Sequence, residues 1–198
     1  MKKGQNTNHP KVGACINIEP IRTKKTISDL KTLLAGNPFD TALFIVGINT
    51  NLRASDLLNL RVEQVKDLKA GDSIELKEKK TRKKKMVTFN QNAIDAIQAL
   101  LASKEYSEGD YLFKGQRGTV ISVPALNLKI KRWMKRLNVK GNFGSHTLRK
   151  TWAFMQYTFN HAPVPDLMEA MNHSSQKITL RYIGIQEATI KRLYDFNI

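Results

Sequence analysis

Apolar and polar residues alternate in two short segments of this chain, DSIELK (residues 72–77) and MVTFN (residues 86–90). A period of two places one face of a β-strand in the core, so each segment is predicted to form a strand. The two segments flank one basic stretch, KEKKTRKKK (residues 77–85), which holds seven basic residues and one acid. We therefore expect an antiparallel hairpin with a charged tip.

Helical patterns predominate in the rest of the chain. NPFDTALFIVGINTN (residues 37–51) begins with Asn37 and Pro38, which suit a helix start, and has a dense apolar middle. Thr26 and Ser145 are predicted to cap two other helices. A short helix is expected from Ser55, followed by a run into a strand that reaches Val65. Further helices are expected within residues 92–101, 122–138, 164–171 and 187–196. The fold class is therefore mainly α with a small antiparallel β-sheet, that is, α+β.

The composition indicates one medium-sized domain with a polyanionic partner. The 198 residues are 41% apolar, and Lys and Arg total 33 against 17 acids, for a formal charge of +16. Such an excess favours nucleic acid ahead of an anionic membrane surface. No apolar run is long enough to span a bilayer, and no secretory signal is present. A lone Cys15 allows no internal disulfide, which fits a reducing, cytoplasmic location.

The segment GSHTLRKTW (residues 144–152) places His146 and Arg149 three residues apart near the start of a predicted helix. Residues with this spacing share one helical face, and a helix N-terminus already favours an anion. The pair is therefore a candidate phosphate site. The alternative is an arginine in a salt bridge beside a histidine that only packs.

Three other segments extend this pattern. NTNLRASDLLNL (residues 49–60) presents Arg53 at a turn between helices, followed by Ser55 and Asp56. The hairpin presents Lys80. The segment MNHSSQKITLRYIGI (residues 171–185) presents His173 and, nine residues later, Tyr182.

In this order and spacing the segments resemble the catalytic domain of the tyrosine recombinase, or phage integrase, family. The family pattern is an Arg in a G-[LIV]-R-x-[ST]-[ED] motif, a hairpin Lys, H-x-x-R, a G-H-type His and then the Tyr. The resemblance runs from about residue 24 to the C-terminus, and it departs from the pattern where Asn51 and Asn172 occupy positions that are often Gly. It implies a catalytic domain over residues 24–198, preceded by a basic arm, residues 1–23, with no separate core-binding domain.

The resemblance also implies a role for each residue. Arg53 and Arg149 would hold the non-bridging oxygens of a DNA phosphodiester. Tyr182 would attack the phosphorus and become a 3′-phosphotyrosine, and His146 would take its proton. Lys80 would protonate the leaving 5′ oxygen, and His173 would donate a hydrogen bond to the phosphate.

Several assignments have rivals in the sequence. Arg53 could instead form a salt bridge with Asp56, and Lys79 and Arg82 compete with Lys80 in the basic stretch. Two other tyrosines, Tyr157 and Tyr194, are expected to be packing residues because only Tyr182 has the family spacing. Residues of the hairpin and of one basic helix are expected to contact DNA phosphates: Lys79, Arg82, Lys83, Lys84, Lys129, Lys131, Arg132 and Lys135.

The expected function is site-specific DNA cleavage and rejoining, as in integration or excision of a mobile element. Two alternatives are a type IB topoisomerase-like nicking-closing enzyme and a DNA-binding protein without turnover. No cofactor or metal is expected, because the phosphotyrosine ester would store the bond energy. Double-stranded DNA is the expected partner, with a monomer in its absence and a homotetramer on it. The expected location is the nucleoid of a bacterial, archaeal or phage-infected cell.

Overall fold

The structure, a computed structural model, describes residues 17–79, 82–107, 109–115, 118–184 and 192–195. Within these ranges there are nine α-helices, one β-hairpin and a short 3-10 helix. The prediction of a strand after the Ser55 helix is wrong, because Val62–Val65 are helical. In chain order the elements are α1 (Lys24–Leu34), α2 (Pro38–Asn49), α3 (Ala54–Leu58), α4 (Val62–Val65), β1 (Ser73–Lys77), β2 (Lys84–Thr88), α5 (Gln91–Ala102), α6 (Val123–Arg136), α7 (Thr147–Phe159), α8 (Val164–Ala170), α9 (Gln176–Ile183) and the 3-10 helix (Arg192–Asp195). The predicted fold class is confirmed.

The predicted hairpin is present, although its second strand begins at Lys84, two residues earlier than expected. Strands β1 and β2 pair antiparallel, with Ile74 opposite Val87. Val87 is buried while Met86 is 60% exposed, so the two faces of β2 differ as expected. The inward face also includes Lys85, which is only 9% exposed. A charged side chain in this position is the main departure of the hairpin from the apolar pattern.

Two helix caps lie one or more positions away from their predicted residues. Helix α1 begins earlier than expected because Thr23, not Thr26, has extended backbone and accepts the N–H of Thr26. Helix α7 is capped by His146, without a side-chain hydrogen bond, so the prediction for Ser145 is wrong. The Ser145 N–H is instead held by the side chain of Asn127, at 3.0 Å.

Helix α2 lies at the centre of the molecule because its apolar residues face neighbours on all sides. Its middle, from Ala42 to Gly47, is buried, and it packs against α1, α5 and α7. The start of α2 agrees with the prediction, since Asn37 accepts the N–H of Asp40 and Pro38 follows directly. The end of α2 leads into the segment that carries Arg53.

A second, smaller hydrophobic cluster joins the last three α-helices. It consists of Ala153 of α7, Leu167 of α8, Met171 directly after α8 and Ile183 of α9, with Tyr182 packed against it. This cluster fixes α9 against α7. The side chains at positions 146, 149 and 182 are therefore brought to one region by packing of apolar residues.

The segment before α1, residues 17–22, runs along α7. The hydroxyl of Thr147 donates to the Glu19 carbonyl oxygen at 2.9 Å, and Ile21 donates its N–H to the hydroxyl of Thr151 at 2.9 Å. The Glu19 N–H reaches the carbonyl oxygen of Asn142 at 2.8 Å. These bonds hold the first turns of α7 against this segment.

The last predicted helix, residues 187–196, lies mostly outside the described residues. Its described part, Arg192–Asp195, is a 3-10 helix. The prediction that Tyr194 packs is wrong, because this residue is 84% exposed. Among the helices described, none has the length and apolar content to cross a membrane.

Helices α2 and α7 approach closely at Gly47, which predicts a stability effect. A methyl group on Gly47 would lie 2.5 Å from Cδ1 and 3.2 Å from Cβ of Leu148. We expect Gly47→Ala to lower the free energy of unfolding by about 1 kcal/mol, because overpacking outweighs the better helix propensity of alanine. Urea denaturation measures this change. Gly36→Ala is the control, since nothing lies within 4 Å of its added methyl group; equal stability of both variants would contradict the prediction.

Candidate active site

Arg53 lies at the N-terminus of α3 and forms an ion pair with Glu78, at the end of the first hairpin strand. Glu78 is 1% exposed. Asp56, the alternative partner, uses its Oδ1 to accept the Lys79 N–H at 3.0 Å and the Ser55 hydroxyl at 3.3 Å. The Arg53 segment and the hairpin are therefore joined by two buried carboxylates. Sequence reasoning missed Glu78, although it is the one acid in the basic stretch.

The backbone carbonyl oxygen of Asn51 accepts hydrogen bonds from two cationic side chains of the site. It accepts a hydrogen bond from Nζ of Lys85 at 2.8 Å and another from the guanidinium of Arg149 at 3.0 Å. The side chain of Asn51 donates to the carbonyl oxygen of Ala170 at 2.8 Å, and Arg149 also donates to that of Met171 at 2.8 Å. Four separated segments of the sequence thus converge on one residue and its neighbours.

The two departures from the family pattern have a conformational explanation. Asn51 has φ 52° and Asn172 has φ 51°, so both adopt the left-handed conformation that glycine tolerates best. Asparagine is the residue that replaces glycine there at low cost, because its short amide can bond locally. The turns required before Arg53 and before His173 are therefore kept.

Tyr182 is held in this site by three neighbours. Its hydroxyl lies 3.4 Å from Nδ1 of His146, and its ring makes an edge contact with the ring of His173, with centroids 5.3 Å apart. Nζ of Lys150 lies 5.1 Å from the centre of the Tyr182 ring. Burial raises the pKa of the Tyr182 hydroxyl, while the charges of Arg149 and Arg53 oppose this increase. The phenol is therefore protonated before a substrate binds.

His173 is uncharged at neutral pH. Burial lowers its pKa to about 4, and the nearby cations Arg149, Arg53 and Lys85 act in the same direction. Its Nδ1 lies 3.0 Å from the hydroxyl of Thr179, a buried residue of α9. Since Thr179 occupies Nδ1, Nε2 is the nitrogen that remains for a ligand. The Thr179 hydroxyl has one proton, which it can donate to Nδ1 or to the Ser175 carbonyl oxygen at 3.4 Å; donation to Nδ1 leaves the single proton of the neutral ring on Nε2.

The remaining predicted hairpin residues have different surroundings. Lys80 lies outside the described residues, so its position relative to the site stays a prediction. Lys79, Arg82 and Lys83 are exposed. Lys84 is exposed as well, and it forms an ion pair with Glu75 at 2.9 Å. None of these four described side chains is buried with Arg53 and Arg149.

The basic helix α6 presents three exposed cations, Lys131, Arg132 and Lys135, opposite its buried face. Lys129 differs from them because its Nζ binds the carboxylate of Asp40 at 2.7 Å and lies over the ring of Phe39. Helix α6 packs against α3, the helix that follows Arg53. Its exposed cations therefore form a surface on an element other than the hairpin.

Lys85 is a second residue of the site that sequence reasoning missed. Burial lowers its pKa from 10.5 to about 7; the charges of Arg149 and Arg53 also lower it, and those of Glu78 and Asp56 raise it. A signal was present in the sequence. Lys85 lies two residues before Val87 and four before Phe89, on the face of the strand that the alternation assigns to the core.

The pKa of Lys85 predicts a pH-dependent effect on stability. Because the folded pKa is below the unfolded one, the unfolded chain binds more protons between about pH 7 and 10.5, and stability rises with pH over this range. The destabilising contribution of Lys85 is complete below about pH 7. We therefore expect Lys85→Met to raise the melting temperature at about pH 6, and this gain to shrink as the pH approaches 10. Thermal unfolding over a pH series measures it.

The matched control is Lys84→Met, because the side chain of Lys84 is 76% exposed on the neighbouring position of the same strand. Its effect on the melting temperature is expected to be small at every pH. A difference between Lys85→Met and the unchanged protein that stays constant from about pH 6 to 10 would show that Lys85 keeps its ordinary pKa.

Comparison with known proteins places this arrangement in a family. The model of the phage integrase family matches residues 27–188. The chain is 35% identical over 181 residues to the probable integrase/recombinase YoeC of Bacillus subtilis strain 168, over 89% of this chain and 95% of YoeC. It is 25% identical to the tyrosine recombinase XerC of Caldanaerobacter subterraneus subsp. tengcongensis, over 87% of this chain and 50% of that protein. The chain thus spans about half the length of this XerC relative.

Solved structures share the fold. The recombinase XerA superposes with a TM-score of 0.73 at 20% identity, over 90% of this chain and 65% of XerA. The catalytic domain of bacteriophage HP1 integrase gives a TM-score of 0.60 at 18% identity, over 91% of this chain and 96% of that domain. The family pattern, the sequence relatives and the fold agree, and the chain belongs to the phage integrase family of tyrosine recombinases.

Proposed function

We propose that this protein cleaves and rejoins DNA strands at specific sites, with Tyr182 as the nucleophile and a 3′-phosphotyrosine as the intermediate. The observation that carries the proposal is the convergence of Arg53, His146, Arg149, His173 and Tyr182, with the Tyr182 hydroxyl 3.4 Å from His146. The relatives named above are described as recombinases and integrases, which supports this activity over topoisomerase-like relaxation. Bacterial relatives also support action at the nucleoid.

The two arginines are suited to stabilise the charge that develops on the phosphate. Attack by a hydroxyl produces a pentacoordinate state with additional charge on the non-bridging oxygens. Arg149 donates hydrogen bonds to two backbone carbonyl oxygens and to the side chain of Tyr182, which fixes its plane beside the nucleophile. The ion pair with Glu78 fixes the orientation of the Arg53 guanidinium. Donors that are fixed before the reaction contribute most to stabilising a transition state.

Proton transfer is the second requirement. The Tyr182 phenol is protonated before DNA binds, because burial raises its pKa. His146 is the neighbouring base, and it would take the phenolic proton as the Tyr182 oxygen attacks phosphorus. When the P–O5′ bond breaks, the leaving oxygen requires a proton, which we assign to Lys80 on the family pattern. His173 would donate a hydrogen bond from Nε2 to a phosphate oxygen.

The exposed cations would position DNA around the site. Lys79, Arg82, Lys83 and Lys84 extend from the hairpin, and α6 presents the separate surface described above. Contacts of this kind bind phosphates irrespective of sequence. One solved structure with the same fold, the XerH recombinase, is described as bound to its difH substrate in a post-cleavage complex. For this chain we propose double-stranded DNA as the partner and a homotetramer on it.

Tyr182→Phe is expected to abolish the covalent DNA–protein adduct while leaving DNA binding unchanged. The ring and its contacts with His173 and Lys150 remain, whereas the nucleophilic oxygen is removed. Denaturing gel electrophoresis with a nicked, end-labelled duplex measures the adduct. Tyr157→Phe is the control, because Tyr157 packs against the second hydrophobic cluster, and it should retain the adduct. An adduct formed by Tyr182→Phe would disprove the assignment, and a plasmid relaxation assay separates recombinase from topoisomerase activity.

Lys80→Ala is expected to slow cleavage of an ordinary phosphodiester by about 10²- to 10⁴-fold, the usual contribution of a general acid. A duplex with a bridging 5′-phosphorothiolate should be cleaved at nearly the normal rate, because a thiolate leaves without a proton. Single-turnover cleavage of both duplexes measures the two rates. Lys79→Ala should slow neither reaction strongly. Equal losses for Lys80→Ala on both duplexes would limit Lys80 to DNA binding.

A further inference from the structure

The lysine on the inward face of the hairpin has no role in the reaction described above. Lys85 is 9% exposed and lies on β2 itself, not at the hairpin tip. Its ammonium group shares the Asn51 oxygen with the guanidinium of Arg149. A lysine that shares an acceptor with a proposed phosphate ligand lies beside that ligand. The exposed lysines of the same strand do not have this relationship.

The charges around Lys85 do not balance. The groups that interact electrostatically with it are two arginines, Arg149 and Arg53, and two carboxylates, Glu78 and Asp56. Protonated Lys85 therefore leaves this described cluster with one positive charge in excess. Burying an uncompensated charge is unfavourable, and an anion of charge −1 would remove the excess. A phosphodiester group carries this charge.

We propose that Lys85 is a catalytic residue that binds a non-bridging oxygen of the scissile phosphate beside Arg149. This inference rests on the proposed function, and it gives the hairpin two different lysines. Lys85 stabilises the charge of the pentacoordinate state, whereas Lys80 supplies the proton to the leaving 5′ oxygen. Lys85 keeps its own proton throughout the step.

Substrate binding changes the protonation of Lys85. With a pKa of about 7, the side chain is only partly charged at neutral pH in the absence of DNA. The other groups that face it are Arg149 of α7, Arg53 and Asp56 of α3, Glu78 of the hairpin and the neutral His173. A phosphate in contact with Nζ raises the pKa of Lys85, so the site takes up a proton as the DNA binds. The third cation is thus fully charged when the phosphate is present.

The test compares Lys85→Met with the unchanged protein on three duplexes that differ only at the scissile group. These carry a phosphodiester, a 5′-phosphorothiolate, or a methylphosphonate in which a methyl group replaces one non-bridging oxygen. On the phosphodiester we expect cleavage to fall by about 10²- to 10³-fold, the usual loss when one donor to a developing oxyanion is removed. The same loss is expected on the phosphorothiolate, since a better leaving group does not replace a lost contact.

On the methylphosphonate, the loss caused by Lys85→Met should shrink to within about tenfold for the diastereomer that lacks the contacted oxygen, because there is less charge to stabilise. Lys77→Met is the control, because Lys77 is exposed on the neighbouring strand β1 and is not one of the cations proposed to bind DNA, and it should cleave all three duplexes at the normal rate. Rescue of Lys85→Met by the phosphorothiolate would overturn the proposal by making Lys85 the proton donor. Equal losses on all three duplexes would overturn it by giving Lys85 a purely structural role.

Folding is checked independently by thermal unfolding of Lys85→Met and of a second variant, Lys85→Gln. Both are expected to be at least as stable as the unchanged protein at neutral pH, and unfolding of both would overturn the proposal. Adduct formation by the unchanged protein distinguishes failure of the proposed function from failure of the role proposed for Lys85. If this protein forms no adduct with Tyr182, the proposed function fails and the role of Lys85 fails with it. If the adduct forms and Lys85→Met cleaves normally, only the role of Lys85 is wrong.

Discussion

The carbonyl oxygen of Asn51 is the acceptor on which the arrangement of the site depends. It binds two cationic side chains, Lys85 from the hairpin and Arg149 from α7, at a backbone position two residues before Arg53. A carbonyl oxygen has two lone pairs, so both bonds form without competition. The left-handed conformation of Asn51 places this oxygen between the two elements. Segments far apart in sequence are therefore brought to one point by a main-chain atom, whose position does not depend on a rotamer.

Hydrophobic packing supplies the frame around these polar contacts. Helix α7 lies between α2, the centre of the main core, and the small cluster that holds α8 and α9. Its buried polar residues, Thr147, Arg149, Lys150 and Thr151, lie between these two apolar regions. Buried polar groups are tolerated when they have hydrogen-bond partners. The carbonyl oxygens of Asn51 and Met171 and the segment before α1 provide these partners. The same helix therefore contributes to the core and to the site.

Much of the fold and the choice of site residues could be predicted from the sequence. Alternation predicted both strands, Asn37 and Pro38 predicted the start of α2, and the motif order selected five residues that the structure brings together. Glu78 and Lys85 were missed because a charged residue in a basic run is normally assigned to solvent. The alternation of β2 did place Lys85 on the core face, but the partners from α3 and α7 that make the burial of both residues tolerable are contained in no local pattern. The N-cap of α1 was also predicted at the wrong residue, because the backbone conformation that makes Thr23 the cap is not visible in the sequence.

Residues 17–22 belong to the structural unit, although they precede the first helix. Its backbone satisfies the hydroxyl of Thr147 and is held by that of Thr151, and the side chain of Asn17 accepts a hydrogen bond from Lys150 at 3.1 Å. Lys150 also lies over the ring of Tyr182. A chain shortened to start at the first helix would lose these contacts and leave polar groups of α7 unsatisfied. Residues ahead of the first helix are thus part of the scaffold that holds the nucleophile, and Lys150 links Asn17 of this segment directly to the ring of Tyr182.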